Sequence, residues 1–187
     1  MAFAFIRNFI NLNIVFILGP SGVGKTTFCE YLSDQHNWIH LNHDDNDPRL
    51  PNKNPLEIEE ELNLFVSGFN ARPLYRKIRN EFMWRTRRGI VLSFPSNFLI
   101  GADHIRAAKG YFKILYLYGN RQNCLNAFNE RERLIGRDFD EDHWRYYNHK
   151  TYEALDCPGL RPWVIEAFHQ DGTRKSMAKI YEKIVRI

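Results

Sequence analysis

The sequence predicts an α/β fold in which a parallel sheet is covered by helices on both faces. Three observations predict it. Short apolar runs alternate with longer segments of helical periodicity, which is the rhythm of βαβ units. The runs are rich in Ile, Val, Leu and aromatics at consecutive positions, as strands buried on both sides are. The first run leads straight into a glycine-rich loop and then a helical pattern.

Strands are expected at 14–18, 38–41, 89–94, 112–118 and 162–168. A helix over 25–36 follows the glycine loop. Pro55 opens a second helix running to about 67, and Glu59, Glu60 and Glu61 lie near its start, where the helix dipole favours them. Pro73 starts a third, which Gly89 stops. A short helix over 103–109 ends at Gly110. Helices over 120–135 and 141–155 flank Gly136, and the last, over 173–186, follows Asp171-Gly172 with Thr173 as a candidate N-cap. Residues 42–54, rich in Asp, Asn and Pro, read as a loop at the carboxyl end of the second strand, where open α/β sheets bind ligands. Residues 1–12 read as an extra arm with no assigned role.

The composition narrows the function classes. At 187 residues, 44% hydrophobic and 26% charged, the chain is expected to form a single domain, 1–187, with a full core. Cys29, Cys124 and Cys157 are scattered without a CxxC, which argues against a disulfide framework or a structural zinc and suits a reducing, cytoplasmic compartment. The seven histidines show no metal spacing. The longest apolar stretch, 3–18, is broken by Arg7, Asn8, Asn11 and Asn13, so neither a membrane span nor a signal peptide is expected. A net charge of +4 is a small excess that argues against nucleic acid as a partner.

One motif carries chemistry. Gly19-Pro20-Ser21-Gly22-Val23-Gly24-Lys25-Thr26 fits GxxxxGK[ST] between an expected strand and an expected helix. Its glycines let the backbone turn tightly around an anion, with N–H groups and the helix amino terminus pointing inward. Lys25 suits the β- and γ-phosphates, and the Thr26 hydroxyl suits Mg²⁺. With the adjacent Thr27, the loop is the candidate site for ATP·Mg²⁺. No DxxG switch or guanine-reading NKxD is found, and the strand Val91-Leu92-Ser93-Phe94 lacks the paired acids of a motor ATPase.

On these residues the chain resembles the P-loop small-molecule kinases: nucleoside monophosphate, gluconate and shikimate kinases. The resemblance implies a P-loop NTPase three-layer sandwich with sheet order 2-3-1-4-5 and a short lid, here about 131–147. After the second strand, Asn42-His43-Asp44-Asp45 is similar to the gluconate-kinase pattern, which places Asp44 against the acceptor hydroxyl; the same residues also read as a solvated Asx-rich turn. Arg133-Leu134-Ile135-Gly136-Arg137 resembles the R-x-x-G-R at the adenylate-kinase lid, which implies Arg133 against the adenine and Arg137 on the transferring phosphate, with Arg145 as a further lid cation. Arg131 reads as an ordinary partner of a neighbouring glutamate.

The acceptor-binding region is expected over about 42–88, where Arg72, Arg76 and Arg79 share one helical face and read either as an acceptor clamp or as a solvated basic face. The third strand ends Leu92-Ser93-Phe94-Pro95-Ser96 without the Asp and Arg of the adenylate-kinase motif it is similar to, and this leaves the acceptor open. The expected activity is transfer of the ATP γ-phosphoryl group to a small hydroxyl- or phosphate-bearing metabolite. Two alternatives stand beside it: a non-catalytic nucleotide-binding module and a nucleic-acid end kinase.

Overall fold

The central strand, β1 (Asn13–Leu18), explains the layering of the molecule. Its side chains alternate between two cores. Ile14, Phe16 and Leu18 face one, and Val15 and Ile17 face the other. A strand buried on both faces needs helices on both. The computed structural model describes residues 13–42, 57–82, 85, 88–95 and 99–185.

The first crossover is α1 (Lys25–His36), which leads to β2 (Ile39–Asn42). Next come α2 (Glu59–Gly68), α3 (Ala71–Phe82) and β3 (Gly89–Ser93). After α4 (Ala102–Ala107) comes β4 (Lys113–Tyr118). A helical hairpin of α5 (Arg121–Leu134) and α6 (Glu141–Leu155) precedes β5 (Val164–Glu166), and α7 (Met177–Val185) closes the described chain. The five strands are parallel in the expected order β2-β3-β1-β4-β5. Chain order reverses direction across the sheet at β1, so the switch point lies at its carboxyl end, just where the glycine loop begins.

Phe65, Leu74, Ile78 and Phe82 from α2 and α3 fill the first core, where the Phe16 ring stacks on Phe112 at 4.3 Å. Phe28, Leu32, Cys124, Ile180 and Ile184 from α1, α5 and α7 fill the second. Tyr116, fully buried, exchanges hydrogen bonds of 2.9 Å with the backbone N–H and C=O of Ile100, so its hydroxyl is satisfied inside the first core.

Several elements differ from expectation at their ends. The helix expected from Pro55 begins at Glu59, and the helix expected from Pro73 to Gly89 spans Ala71–Phe82, with the Arg85 N–H bonded to the Phe82 carbonyl in a turn at 2.9 Å. The fifth strand was expected from Pro162, but Pro158–Trp163 forms a 3₁₀ helix and β5 begins at Val164. Prolines at both ends of that segment suit a tight helical turn and cannot donate to a ladder. The last helix begins at Met177, not Thr173. Residues 168–174 form a tight hairpin instead, with Phe168 bridged to Arg174 and the Lys175 N–H bonded to the Ala167 carbonyl at 2.8 Å. Thr173 therefore caps nothing. Its own N–H and hydroxyl donate to Asp171 Oδ1 at 2.9 and 2.6 Å. This hairpin is what carries Arg174 to the glycine loop.

Candidate functional site

The site lies at the carboxyl edge of the sheet. The loop from Gly19 to Gly24 leaves β1 and turns through left-handed backbone at Gly22 (φ 87°) and Gly24 (φ 97°). Gly24 is the N-cap of α1 and makes no side-chain cap, so the amino terminus of the helix itself faces the cavity. Val23 points inward and is buried, pinning the loop's middle to the second core. Lys25 Nζ donates to the carbonyls of Gly19 at 2.8 Å and Pro20 at 3.1 Å, so the ammonium is held at the loop's inner edge.

A cavity of about 510 Å³ opens over this loop. Ser21, Gly22, Gly24, Lys25, Thr26 and Thr27 form its floor, with Glu30 one turn further along α1. Asn42 and Ser93 border it from the ends of β2 and β3, and Phe128 and Arg131 from α5. Arg174 closes the remaining side, where its Nη2 donates to the Gly22 carbonyl at 2.8 Å and its guanidinium lies over the Phe168 ring at 5.4 Å. Three cations thus face Glu30 alone among the acidic residues described at this cavity, and the arrangement suits a polyanion. The other donors are hydroxyl and amide oxygens. Among the described residues no His, Cys, Asp or Glu cluster could hold a metal by itself. Hydroxyl, amide and carboxylate oxygens completed by ligand phosphates are the donor set Mg²⁺ takes.

Among the expected site residues, Ser21, Gly22, Gly24, Lys25, Thr26 and Thr27 line the cavity, whereas Gly19, Pro20 and Val23 do not, Val23 being buried in the second core. Asp44, with His43 and Asp45, lies outside the described residues. Arg133 is exposed and Arg137 pairs with Glu132 at 3.7 Å; neither borders the cavity. Arg131 does. The reason is helical phase: Arg131 follows Ala127 and Phe128 by four and three residues, so it shares their face, whereas Arg133 points away. Arg131 is also held by Glu132 Oε1, at 2.8 Å from Nε and 2.6 Å from Nη2, and lies over the Phe128 ring at 4.4 Å. The Glu–Arg pair read from the sequence exists, and it positions a cavity cation. Arg145 pairs with Glu141 and borders a different cavity. Arg72 and Arg76 are exposed on α3, Arg79 is half-buried, and none of them borders the phosphate-loop cavity.

The segment 131–147 does not stand free of the core along its whole length. Trp144 and Asn148 of α6 are buried against the glycine loop. The Ser21 N–H donates to Asn148 Oδ1 at 2.7 Å, Asn148 Nδ2 donates to the Trp144 carbonyl at 2.7 Å, and the Trp144 indole N–H donates to the Ser21 carbonyl at 3.3 Å. This closed ring of bonds ties the loop to the helix hairpin. Its only sequence signal is the regular four-residue spacing of Trp144, Asn148 and Tyr152, which reads equally as core packing. Arg174 carried no signal either, since it follows a turn and lies 152 residues from its acceptor. Arg174→Gln is expected to weaken binding of a polyphosphate anion about tenfold with little change in melting temperature, because it removes a cavity cation from an exposed side chain. Unchanged affinity by calorimetry would place Arg174 outside the site.

The β2–β3 edge carries a neutral trio. His40 Nε2 donates to Ser93 Oγ at 2.9 Å, and Ser93 Oγ donates to Asn42 Oδ1 at 3.0 Å. Burial pushes the His40 pKa down to about 4 from 6.5, so the imidazole stays neutral where a free histidine begins to charge. The sign follows directly. Between these two values the unfolded chain binds a proton that the native chain refuses, so native stability falls as pH drops from about 6.5 towards 4, by up to about 3 kcal/mol. His40→Gln is expected to remove this part of the acid limb in urea unfolding measured from pH 7 to 4. An acid limb as steep as in the unaltered protein would show that His40 is not its source.

No protein-family model matches the chain, and no curated protein matches it in sequence. Solved structures match its fold. A gluconokinase from Sinorhizobium meliloti 1021 is similar over 95% of this chain and 91% of its own, with TM-score 0.51 and 16% identity. A sugar kinase from Janibacter sp. HTCC2649 is similar over 94% and 93%, with TM-score 0.50 and 15% identity. A shikimate kinase from Acinetobacter baumannii, in complex with shikimate, covers 95% and 93% with TM-score 0.46 and 18% identity. The likeness is one of fold: the chain has a P-loop small-molecule-kinase-like α/β fold.

Proposed function

We propose that this protein is a phosphotransferase that moves the γ-phosphoryl group of ATP, with Mg²⁺, to a small hydroxyl- or phosphate-bearing metabolite. The observation that carries this reading is the convergence of Lys25, Arg131 and Arg174 with the glycine loop and the amino terminus of α1 on one cavity at the sheet's switch point. Phosphoryl transfer needs little more from a protein than positioning and charge neutralisation. The loop amides hold the donor phosphates, Lys25 follows the charge on the transferring group, and Arg131 and Arg174 neutralise the donor from the α5 side. Thr26 would hold Mg²⁺, with Glu30 one turn further along α1 beside it, and the bound ion would supply charge neutralisation to the phosphates.

Asn42 and Ser93 form the side on which the acceptor would enter. Asp44 is kept, on sequence grounds, as the carboxylate that orients the acceptor hydroxyl. Arg137 shares Glu132 with Arg131, so we assign it to setting the position of Arg131. The fold likeness to a gluconokinase and a sugar kinase favours polyhydroxylated acceptors as the first to try. All three cysteines are free thiols, which suits the reducing cytoplasmic compartment we assign, and none of the described helices is long and apolar enough to cross a membrane.

The test is ADP release from Mg²⁺·ATP in the presence of a panel of sugars, sugar acids and polyols. The expected result is turnover that requires both Mg²⁺ and one acceptor class. Tight ATP binding with no acceptor-dependent turnover across a broad panel would favour a nucleotide-binding module instead.

A further inference from the structure

Successive carbonyls of the glycine loop accept hydrogen bonds from side chains. Lys25 Nζ holds those of Gly19 and Pro20, the Trp144 indole N–H holds that of Ser21, and Arg174 holds that of Gly22. Lys25 and Arg174 are cations that border the cavity, so a bound polyanion competes with the carbonyls for them. Trp144 is different. It is 3% exposed, carries no charge and does not border that cavity. Asn148, 1% exposed, completes its contact with the loop. Asn148 Oδ1 accepts from the Ser21 N–H at 2.7 Å, and Nδ2 donates to the Trp144 carbonyl at 2.7 Å. A backbone donor on one side and a backbone acceptor on the other settle which end of the amide is which. Ser21 is thus held through both its N–H and its carbonyl by neutral groups that a phosphate does not draw away.

Nothing local favours an asparagine at this place in α6. Asparagine is among the weaker helix formers, and burying an amide is costly unless both its ends are bonded. Leucine would fill the space and make neither bond, and an ionised aspartate would accept from Ser21 but could not donate to Trp144. One turn further along the same face, the Tyr152 hydroxyl donates to the Gly119 carbonyl at 3.1 Å, which ties α6 to the end of β4. The hold on Ser21 therefore runs back to the sheet.

We propose that Asn148 is a positioning residue for the phosphate loop, holding Ser21 in place while Lys25 and Arg174 turn from the loop carbonyls to a bound polyphosphate. It does so from outside the cavity, which it does not border. The inference rests on reading that cavity as a polyphosphate site.

The test is binding of pyrophosphate and of Mg²⁺·ATP to the full chain, by calorimetry well below the melting temperature. Asn148→Leu is expected to weaken both at least tenfold. A role in stability alone would lower the melting temperature and leave the affinity of the folded chain unchanged. Asn148→Asp gives a second readout that does not need the leucine variant to fold. When protonated, the introduced carboxyl reproduces both bonds, its C=O accepting from Ser21 and its O–H donating to the Trp144 carbonyl, and burial raises the pH at which it takes up that proton. Relative to the unaltered chain at the same pH, this variant is expected to bind at least tenfold more weakly at about pH 8 and to recover to within threefold at about pH 5.5. Asn148→Leu that binds within twofold of the unaltered chain overturns the proposal. So does a folded Asn148→Asp protein whose relative affinity is the same at both pH values. An unaltered chain that binds neither probe removes the polyphosphate site, and with it both the proposed phosphotransfer and this role, whereas the two variant results bear on Asn148 alone.

Discussion

Lys25→Met is expected to abolish phosphoryl transfer, with a loss of at least 10²- to 10³-fold in kcat, or about 3–4 kcal/mol of transition-state stabilisation. Methionine matches the length of lysine but carries no charge and no N–H. What it removes is the ammonium held at the inner edge of the loop, which in the proposed reaction follows the γ-phosphoryl group as charge shifts between donor and acceptor. The substitution also frees the carbonyls of Gly19 and Pro20 from their bonds to Nζ. Both carbonyls belong to the loop beside an open cavity and can find water, so the stability cost is about 1–2 kcal/mol and the chain stays folded. Acceptor-dependent ADP release and thermal unfolding measured on the same preparation separate the two effects. A Lys25→Met protein that keeps more than a tenth of the turnover would remove the basis for phosphotransfer at this loop.

Gly22→Ala is expected to have the largest effect on the loop itself. A Cβ at Gly22 would stand 2.1 Å from the Cys124 carbonyl oxygen and 3.0 Å from the Phe128 nitrogen, both backbone atoms of α5. No rotamer relieves a clash with backbone, so the loop must leave its position. The left-handed φ adds about 1–2 kcal/mol. A total loss of about 3 kcal/mol in stability and at least a hundredfold in ATP affinity is expected. Gly136→Ala is the control. Gly136 has φ 71°, yet nothing lies within 4 Å of a Cβ there, so it bears the conformational cost alone. Urea unfolding and calorimetry of the two variants read the difference. If Gly22→Ala behaves like Gly136→Ala, the contact between the loop and α5 does not shape the site.

The sequence by itself determined the layers, the parallel strands and the phosphate loop. Each rests on a local rule: consecutive apolar residues for a strand buried on both faces, glycines where φ must be positive, and a lysine and a threonine opening the first helix. The strand order came with the family resemblance that this loop carries. Where local rules competed, it missed. Thr173 had the residue type of an N-cap, yet the backbone pairing of 167–168 with 174–175 took the segment into a hairpin. The proline at 162 made a 3₁₀ turn out of what the apolar pattern offered as strand.

Only the tertiary structure decided which side chains complete the site. Arg174 reaches Gly22, and Asn148 and Trp144 grip Ser21, because β5 and α6 pack beside β4 and β1 at the same edge of the sheet. Arg131 replaces Arg133 at the cavity because helical phase is set by which face α5 buries, through Cys124 and Leu125, and not by the spacing of the arginines. Backbone geometry is encoded in a few neighbouring residues. The meeting of side chains more than a hundred residues apart is encoded in the packing of whole elements, and that sum of small apolar contacts leaves no local pattern to read.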